Sequence, residues 1–286
     1  MNPTLIRFAL LAIAFSVGAV ANLRADEPGI YLIRPDGSEV RKVVTVEGHD
    51  YHGSPSWSHD GTRLAFEVAD PATTQKRLYI VAVDGTGLKE LGAYAMPCWS
   101  PDDKQLACYS AGDDVQEGIW VLNVNGQGGD RVCDGAWPRW SPDGTSIAHT
   151  LANSIFLRDL VSDADRPLVD RQLPERPGSF GWSRDGQRLA FFVRTQSGGP
   201  RELYIVRIDA PDADWQPRLS RPGRVGGHVA WSPDDKQLVF TVESYLHLLD
   251  VEGNEPPELV PGQEEPSRDP AWSPDGKWIA FARRSN

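Results

Sequence analysis

Cysteine is scarce in this chain, basic residues are outnumbered, and no stretch beyond the first twenty or so residues shows a helical period or an apolar run of membrane length. The three cysteines, Cys98, Cys108 and Cys133, have no paired spacing of the kind that holds zinc. Lys and Arg number 29 against 40 Asp and Glu, a formal charge of −11. That balance excludes nucleic acid and anionic membrane as partners, since both need clustered positive charge, and leaves protein or cationic partners open. There is no Gly-x-Ser-x-Gly elbow of an α/β-hydrolase and no glycine-rich loop to cradle a phosphate. Gly126-Gln127-Gly128-Gly129 follows a strand but leads into another strand, so it reads as a hairpin turn. No Pro-, Gly- or Ser-rich linker divides the chain into two domains.

Residues 1–21 read as a secretory signal. Arg7 supplies the positive start, residues 8–17 the apolar core, and Ala19-Val20-Ala21 a small-residue cleavage site, with Leu23-Arg24-Ala25 as a second choice. The apolar run is too short and too poorly flanked for a spanning helix. The expectation is an exported protein, periplasmic or secreted, without a transmembrane helix in the mature chain. In an oxidising compartment a disulfide between Cys98 and Cys108 is one reading, because both flank the turn at Asp103 about equally. Three small buried hydrophobes is the other.

What the chain has in place of these features is a repeat. Trp272-Ser273-Pro274-Asp275-Gly276 and the strand after it recur in recognisable form at Trp57, Trp99, Trp140, Trp182 and Trp231, with spacings of 42, 41, 42, 49 and 41 residues. A period of about 40 to 45 residues built on strands marks a β-propeller blade. In each copy an apolar strand ends in Trp-Ser, a turn with Asp-Gly or Asp-Asp follows, and an alternating strand leaves it. A second hairpin comes 15 to 21 residues after the Trp in five copies, over 78–85, 119–126, 155–160, 203–209 and 246–253. The sixth copy lacks one before the chain ends at Asn286, whereas residues 30–46 form a second hairpin with no Trp-Ser hairpin before it. The expected fold is therefore all-β, a six-bladed propeller over residues 30–286 with four-stranded antiparallel blades. A short segment, 22–29, precedes it, and the last blade is closed by the N- and C-terminal hairpins.

The WSPDG hairpin resembles the WD40-like repeat of the TolB propeller family, found also in the propellers that precede the hydrolase domain of prolyl-oligopeptidase-like enzymes. Eukaryotic WD40 repeats fit less well, because Gly48-His49 lies eight residues before Trp57 and Gly227-His228 three before Trp231, out of phase. The resemblance implies a non-catalytic periplasmic adaptor that docks an envelope protein, such as a lipoprotein, over its channel mouth. TolB also carries an α/β domain ahead of its propeller, and here the signal leads straight into the first strands, so only propeller-mediated binding is carried over.

The repeated tryptophans and turn aspartates read as packing and caps. Residues that break the repeat are the candidates for a site. Loops 70–77, 110–118 and 195–201 are long, whereas 152–154 and 244–245 are short, which points to the variable face. Three residues before each Trp stand Ser54, Met96, Trp137, Ser179, His228 and Asp269, at the mouth of the expected channel. Trp137, His228 and Asp269, with Tyr51, His52, Arg139, Arg176, Arg224 and Arg268 nearby, form the candidate ligand site, the chemistry of protein hot spots and anion pockets. The expected function is binding of a protein or an envelope polymer by a monomeric scaffold with no cofactor. The alternative is an enzyme, a metal-dependent lyase or a lactonase-like hydrolase. His49, His52 and His228 would hold its divalent metal, as similar clusters do in some related propeller lyases. A third reading is a sensor that binds a small anion through Arg139, Arg176 and Arg268. His59, His149 and His247 read as incidental.

Overall fold

The computed structural model describes residues 27–110, 112, 115–169, 175–194, 199–209, 216–221 and 225–284. The signal over residues 1–21, both of its cleavage choices and Arg224 lie outside the described residues. Within them the chain forms strands and turns. β1 (Gly29–Ile33) and β2 (Val40–Val44) come first, and then β3 (Tyr51–Trp57), β4 (Arg63–Ala69), β5 (Lys76–Ala82) and β6 (Lys89–Gly92) make blade 1. Blade 2 is β7 (Ala95–Trp99), β8 (Gln105–Ser110), β9 (Gly118–Asn123) and β10 (Gly129–Cys133). Blade 3 is β11 (Ala136–Trp140), β12 (Ser146–Leu151), β13 (Ser154–Asp159) and β14 (Asp165–Val169). Blade 4 is β15 (Phe180–Trp182), β16 (Arg188–Arg194), β17 (Arg201–Arg207) and β18 (Leu219–Arg221). Blade 5 is β19 (Ala230–Trp231), β20 (Gln237–Val242), β21 (Tyr245–Asp250) and β22 (Glu258–Leu259). The chain ends in β23 (Arg268–Trp272) and β24 (Ile279–Arg283), which join β1 and β2 in the sheet order β2-β1-β24-β23. This is the six-bladed propeller with the shared last blade, and β1 pairs with β24 from Gly29↔Arg283 to Ile33↔Ile279.

The core lies between the blades, in six clusters, one at each junction around the ring. β1 shows how one strand serves two of them. Its alternate residues point to opposite faces, so Tyr31 and Ile33 pack toward blade 5 and Ile30 and Leu32 toward blade 1. All five residues of β1 are consequently buried. The same geometry decides between the two readings of the cysteines. Cys98 pairs with Ala107 and Cys108 with Trp120, an offset of one residue that sends the two thiols to different junctions. All three cysteines are free.

Each Trp-Ser turn is held by one hydrogen-bond pattern. The Ser58 hydroxyl donates to Asp60 Oδ1 at 2.7 Å and accepts from the Arg63 amide at 2.9 Å. Ser100, Ser141, Ser183, Ser232 and Ser273 repeat both bonds with Asp102, Asp143, Asp185, Asp234 and Asp275. These six serines are buried. In Asp60, Asp102, Asp143, Asp185 and Asp234 the serine hydroxyl is the main reason that the carboxyl sits below its ordinary pKa.

The residue after that aspartate has positive φ in every copy. It is Gly61, Gly144, Gly186 and Gly276 in four blades, but Asp103 (φ 59°) and Asp235 (φ 59°) in blades 2 and 5. The four glycines are each approached by a proline of the preceding blade's turn: Pro274, Pro101, Pro142 and Pro233. Ahead of Asp103 and Asp235 the corresponding residues are instead His59 and Arg184, which retain an amide hydrogen. Asp103 accepts from the His59 and Asp60 amides at 2.6 and 2.8 Å. Asp235 accepts from the Arg184 and Asp185 amides at 2.6 and 3.1 Å. The carboxylate thus appears where proline is missing from the neighbouring turn, and it offsets the cost of a left-handed aspartate. At the same two junctions Arg63 lies 4.5 Å over Trp99 and Arg188 lies 4.7 Å over Trp231.

His59→Pro alone and Asp103→Gly alone should each destabilise the ring, while the double variant recreates the pairing of the other four turns. The singles and the double should therefore be non-additive by about 1 kcal/mol in urea unfolding. Strict additivity would separate the two positions.

Candidate ligand-binding channel

The inner strands carry the Trp-Ser motif along the axis, and four of them are bulged. Register shifts fall between Gly53 and Ser56, Ala95 and Cys98, Ala136 and Arg139, and Arg268 and Ala271. Within each shift a non-glycine residue of positive φ precedes a proline: Ser54 (49°), Met96 (56°), Trp137 (56°) and Asp269 (51°). Proline suits a bulge because it removes a ladder donor, and the bulge re-aims the residue before it.

The re-aimed groups meet across the axis. His228 of blade 5 lies with Nε2 3.3 Å from Ser54 Oγ of blade 1 and 3.8 Å from Asp269 Oδ1 of blade 6. Its Nδ1 faces Arg139 Nη2 of blade 3 at 3.5 Å. Trp137, also of blade 3, meets the His228 ring edge-on at 5.1 Å between centroids. Arg139 Nη2 donates to Ser179 Oγ of blade 4 at 2.9 Å, and the Ser54 amide donates to Asp269 Oδ2 at 3.3 Å. Burial lowers the His228 pKa below the ordinary imidazole value, which favours the neutral ring. A guanidinium can only donate, so Nδ1 accepts from Arg139 and Nε2 carries the proton toward Ser54 and Asp269. Blade 2 enters through the Met96 amide, which donates at 2.8 Å to the carboxylate of Glu67 on β4 of blade 1; that carboxylate also accepts from Tyr51 Oη at 3.0 Å and from Lys76 Nζ at 3.2 Å.

Beside this polar layer is a cavity of 400 Å³ opening among the Trp-Ser turns. Its walls include all six motif tryptophans, the prolines Pro55, Pro97 and Pro270, and Phe180, with Arg139 and His228 contributing its polar groups. Three indoles tie neighbouring inner strands together: Trp57 donates to Ala271 O (3.1 Å), Trp99 to Ser56 O (3.1 Å) and Trp231 to Gly181 O (2.9 Å). The cavity thus lies on the tight-turn side rather than among the long loops. On the loop side a second cavity of 400 Å³ lies between blades 1 and 2, lined by Thr73, Thr74, Lys76, Tyr94 and Tyr109 among others.

The sequence candidates separate into distinct places. Trp137, Arg139, His228 and Asp269 come together at the axis. Tyr51 stands beside them, bonded to Glu67 and flanked by Lys76 at 3.3 Å, Arg284 at 5.1 Å and Arg268 at 5.6 Å from its ring centre. Arg176 is exposed and joins none of these contacts among the described residues. His52 points away from the axis. It is fully buried, stacks on Phe66 at 6.1 Å, and accepts the Val46 amide on Nε2 at 2.9 Å. The proposed trio of His49, His52 and His228 therefore does not converge: Nε2 of His52 is committed to Val46, and His49 turns to Glu47 O. Among the described residues the group with metal-type donors in reach of one another is Cys133, His149 and Asp165, within 4.8 Å, where His149 Nε2 lies 3.3 Å from Asp165 Oδ1. The sequence reading passed over this group and also over Glu67. Glu67 was visible as a carboxylate in the middle of the strand Arg63–Ala69, whose five central residues are all buried.

No protein-family model matches the sequence, and no curated protein matches it. Solved structures match the fold. TolB from Acinetobacter baumannii superposes with a TM-score of 0.67 at 17% identity over 87% of this chain, which spans 66% of that protein. A TolB candidate from Agrobacterium tumefaciens gives a TM-score of 0.72 at 19% identity, covering 91% of this chain and 98% of the other. Hydrazine synthase of Kuenenia stuttgartiensis gives 0.60 at 15% identity, over 82% and 74%. The chain thus has the fold of the TolB β-propeller, and at these identities the likeness is one of fold.

Burial holds the His52 pKa at about 4, against 6.5 for an exposed imidazole. Because the folded value is depressed, the associated stability is complete above pH 6.5 and is lost as pH falls toward 4. The unfolded chain takes up a proton there and the folded chain does not. The full loss is on the order of 3 kcal/mol. Thermal unfolding followed from pH 7.5 to 4.5 should show the decline. His52→Gln, which keeps an acceptor for Val46 but does not titrate, should make the decline shallower, the remainder coming from the buried His149 and His228.

Proposed function

We propose that this chain is an exported, non-enzymatic binding propeller that holds a segment of a protein partner of the cell envelope in its axial cavity. The observation that carries the reading is the cavity itself. A space of 400 Å³ is within the range of built ligand sites. Rigid inner strands frame it, with proline and aromatic walls and with arginine and histidine as its polar groups. Tryptophan and arginine are the residues that most often dominate protein recognition. Export rests on the signal-like residues 1–21, and the envelope setting on the TolB-like fold. Because the cavity lies among the tight turns, this reading takes entry from that side instead of the loop-rich face expected from sequence.

Ser56 lines this cavity. Ser56→Phe should fill it and leave the ring intact by circular dichroism. Immobilised wild-type protein should retain a specific envelope protein in saturable fashion, and Ser56→Phe should lose most of that capture. Equal capture by both proteins would remove the cavity from the interaction.

A further inference from the structure

We propose that the axial cavity binds a carboxylate carried on an apolar body, with Arg139 as the residue that reads the charge. The inference rests on the binding reading above and names the chemistry of what is bound. The chain has 40 acidic residues, yet none of the residues lining this cavity is Asp or Glu. The six turn aspartates border it in sequence, but their carboxylates are turned to the motif serines. Apart from the Cys98 thiol, whose pKa burial raises, the ionisable side chains that line it are Arg139 and His228 in the interior and His59 and Arg184 among the turns, all basic types.

Arg139 is the centre of this site. The residue immediately before the motif Trp is Ser56, Cys98, Gly181, Ala230 and Ala271 in five blades and Arg139 in the sixth. Five small residues leave room for one guanidinium. Its hydrogen bonds go to Pro138 O, Ser179 Oγ and His228 Nδ1, all neutral acceptors, and no carboxylate among the described residues lies within ion-pair distance. Burial draws its pKa below the ordinary arginine value, against the more distant attraction of Cys98, Asp269 and Glu67. Those two carboxylates already have partners: Glu67 holds Tyr51, Lys76 and the Met96 amide, and Asp269 holds the Ser54 amide beside His228. A half-buried guanidinium without a direct counter-ion is costly, and an anion in the adjoining space completes it. With one charged group in the interior and a neutral imidazole beside it, a monoanion matches, and the planar fork of arginine suits a carboxylate. Val229, Ala230, Ala271, Phe180 and the prolines then cover an apolar body. A polypeptide C-terminus and a small aryl carboxylic acid both present this chemistry.

The test is calorimetric titration of the full chain with N-acetyl-Leu-Leu-Phe as the free acid and as the C-terminal amide, with phenylacetate and inorganic phosphate alongside. The expected result is that the peptide acid or phenylacetate binds, that the peptide amide binds at least about tenfold more weakly than the acid, and that phosphate does not compete. Preference for the peptide acid identifies a chain terminus as the source, and preference for phenylacetate a small acid. Arg139→Gln should abolish the acid-over-amide difference, and Arg139→Lys should keep part of it. The wild-type comparison stands even if Arg139→Gln fails to fold. Equal binding of acid and amide, displacement by phosphate, or no binding of either carboxylate at millimolar concentration would overturn the proposal. Partner capture that is lost in Ser56→Phe but unchanged in a folded Arg139→Gln would overturn it too, while leaving the binding reading in place.

Discussion

The pairing of β1 with β24 is the contact on which the rest of this molecule depends. It joins the first described strand to the last and completes blade 6 from both ends of the chain. A row of blades would leave an apolar face uncovered at each end, whereas a closed ring covers every face and leaves only short outer edges. The junction clusters on either side of blade 6 draw on β1 and β24 together, so neither cluster can form before the ends of the chain meet. The axial channel exists only inside that closure. Its polar layer takes groups from all six blades, and each pair of those groups is brought within reach by the ring rather than by proximity in sequence.

The Trp-Ser motif then does two jobs at different radii. Serine and aspartate fix the turn by bonds internal to it, and the tryptophan fixes the distance between inner strands by packing and, in three blades, by an indole bond to the neighbour. The residue between serine and aspartate varies in step with the left-handed position of the next blade, and the residue just before the tryptophan varies on its own. Those two positions supply the groups that make this propeller individual: His59 and Arg184 at the turns, and Arg139 within.

The ring was legible in the sequence because a repeat reports on every blade at once, and the leftover hairpin over residues 30–46 revealed the closure. The site was only partly legible. Trp137, His228 and Asp269 stood out as large or polar residues in a phase otherwise filled mainly by small ones, and the structure does bring them together with Arg139. His52 stood out equally, yet it belongs to the packing of blade 1. Periodicity gives the phase of a residue along a strand, but the bulges before Pro55, Pro97, Pro138 and Pro270 shift which way the following residues face. The choice between a Cys98–Cys108 bridge and three small buried hydrophobes turned on the same level of detail, and a register offset of one decides it for free thiols. Glu67 lies outside the phase of the Trp-Ser repeat, because its carboxylate reaches the axial layer from the second strand of its blade.

The two junctions where aspartate replaces glycine lie three blades apart, between blades 1 and 2 and between blades 4 and 5. Each has the same surroundings: a non-proline turn residue, a left-handed aspartate and an arginine stacked on the next tryptophan. The turn surface is thus organised as two half-rings of three blades related by an approximate half-turn about the axis. The same pattern of proline and basic residues is presented on that surface in either of two orientations. The interior does not share that symmetry, because the counterpart of Arg139 in the opposite half-ring is Ala271. For a ligand of the kind proposed, encounter would therefore be two-fold degenerate while the seated pose is single, the orientation being chosen beyond the turns.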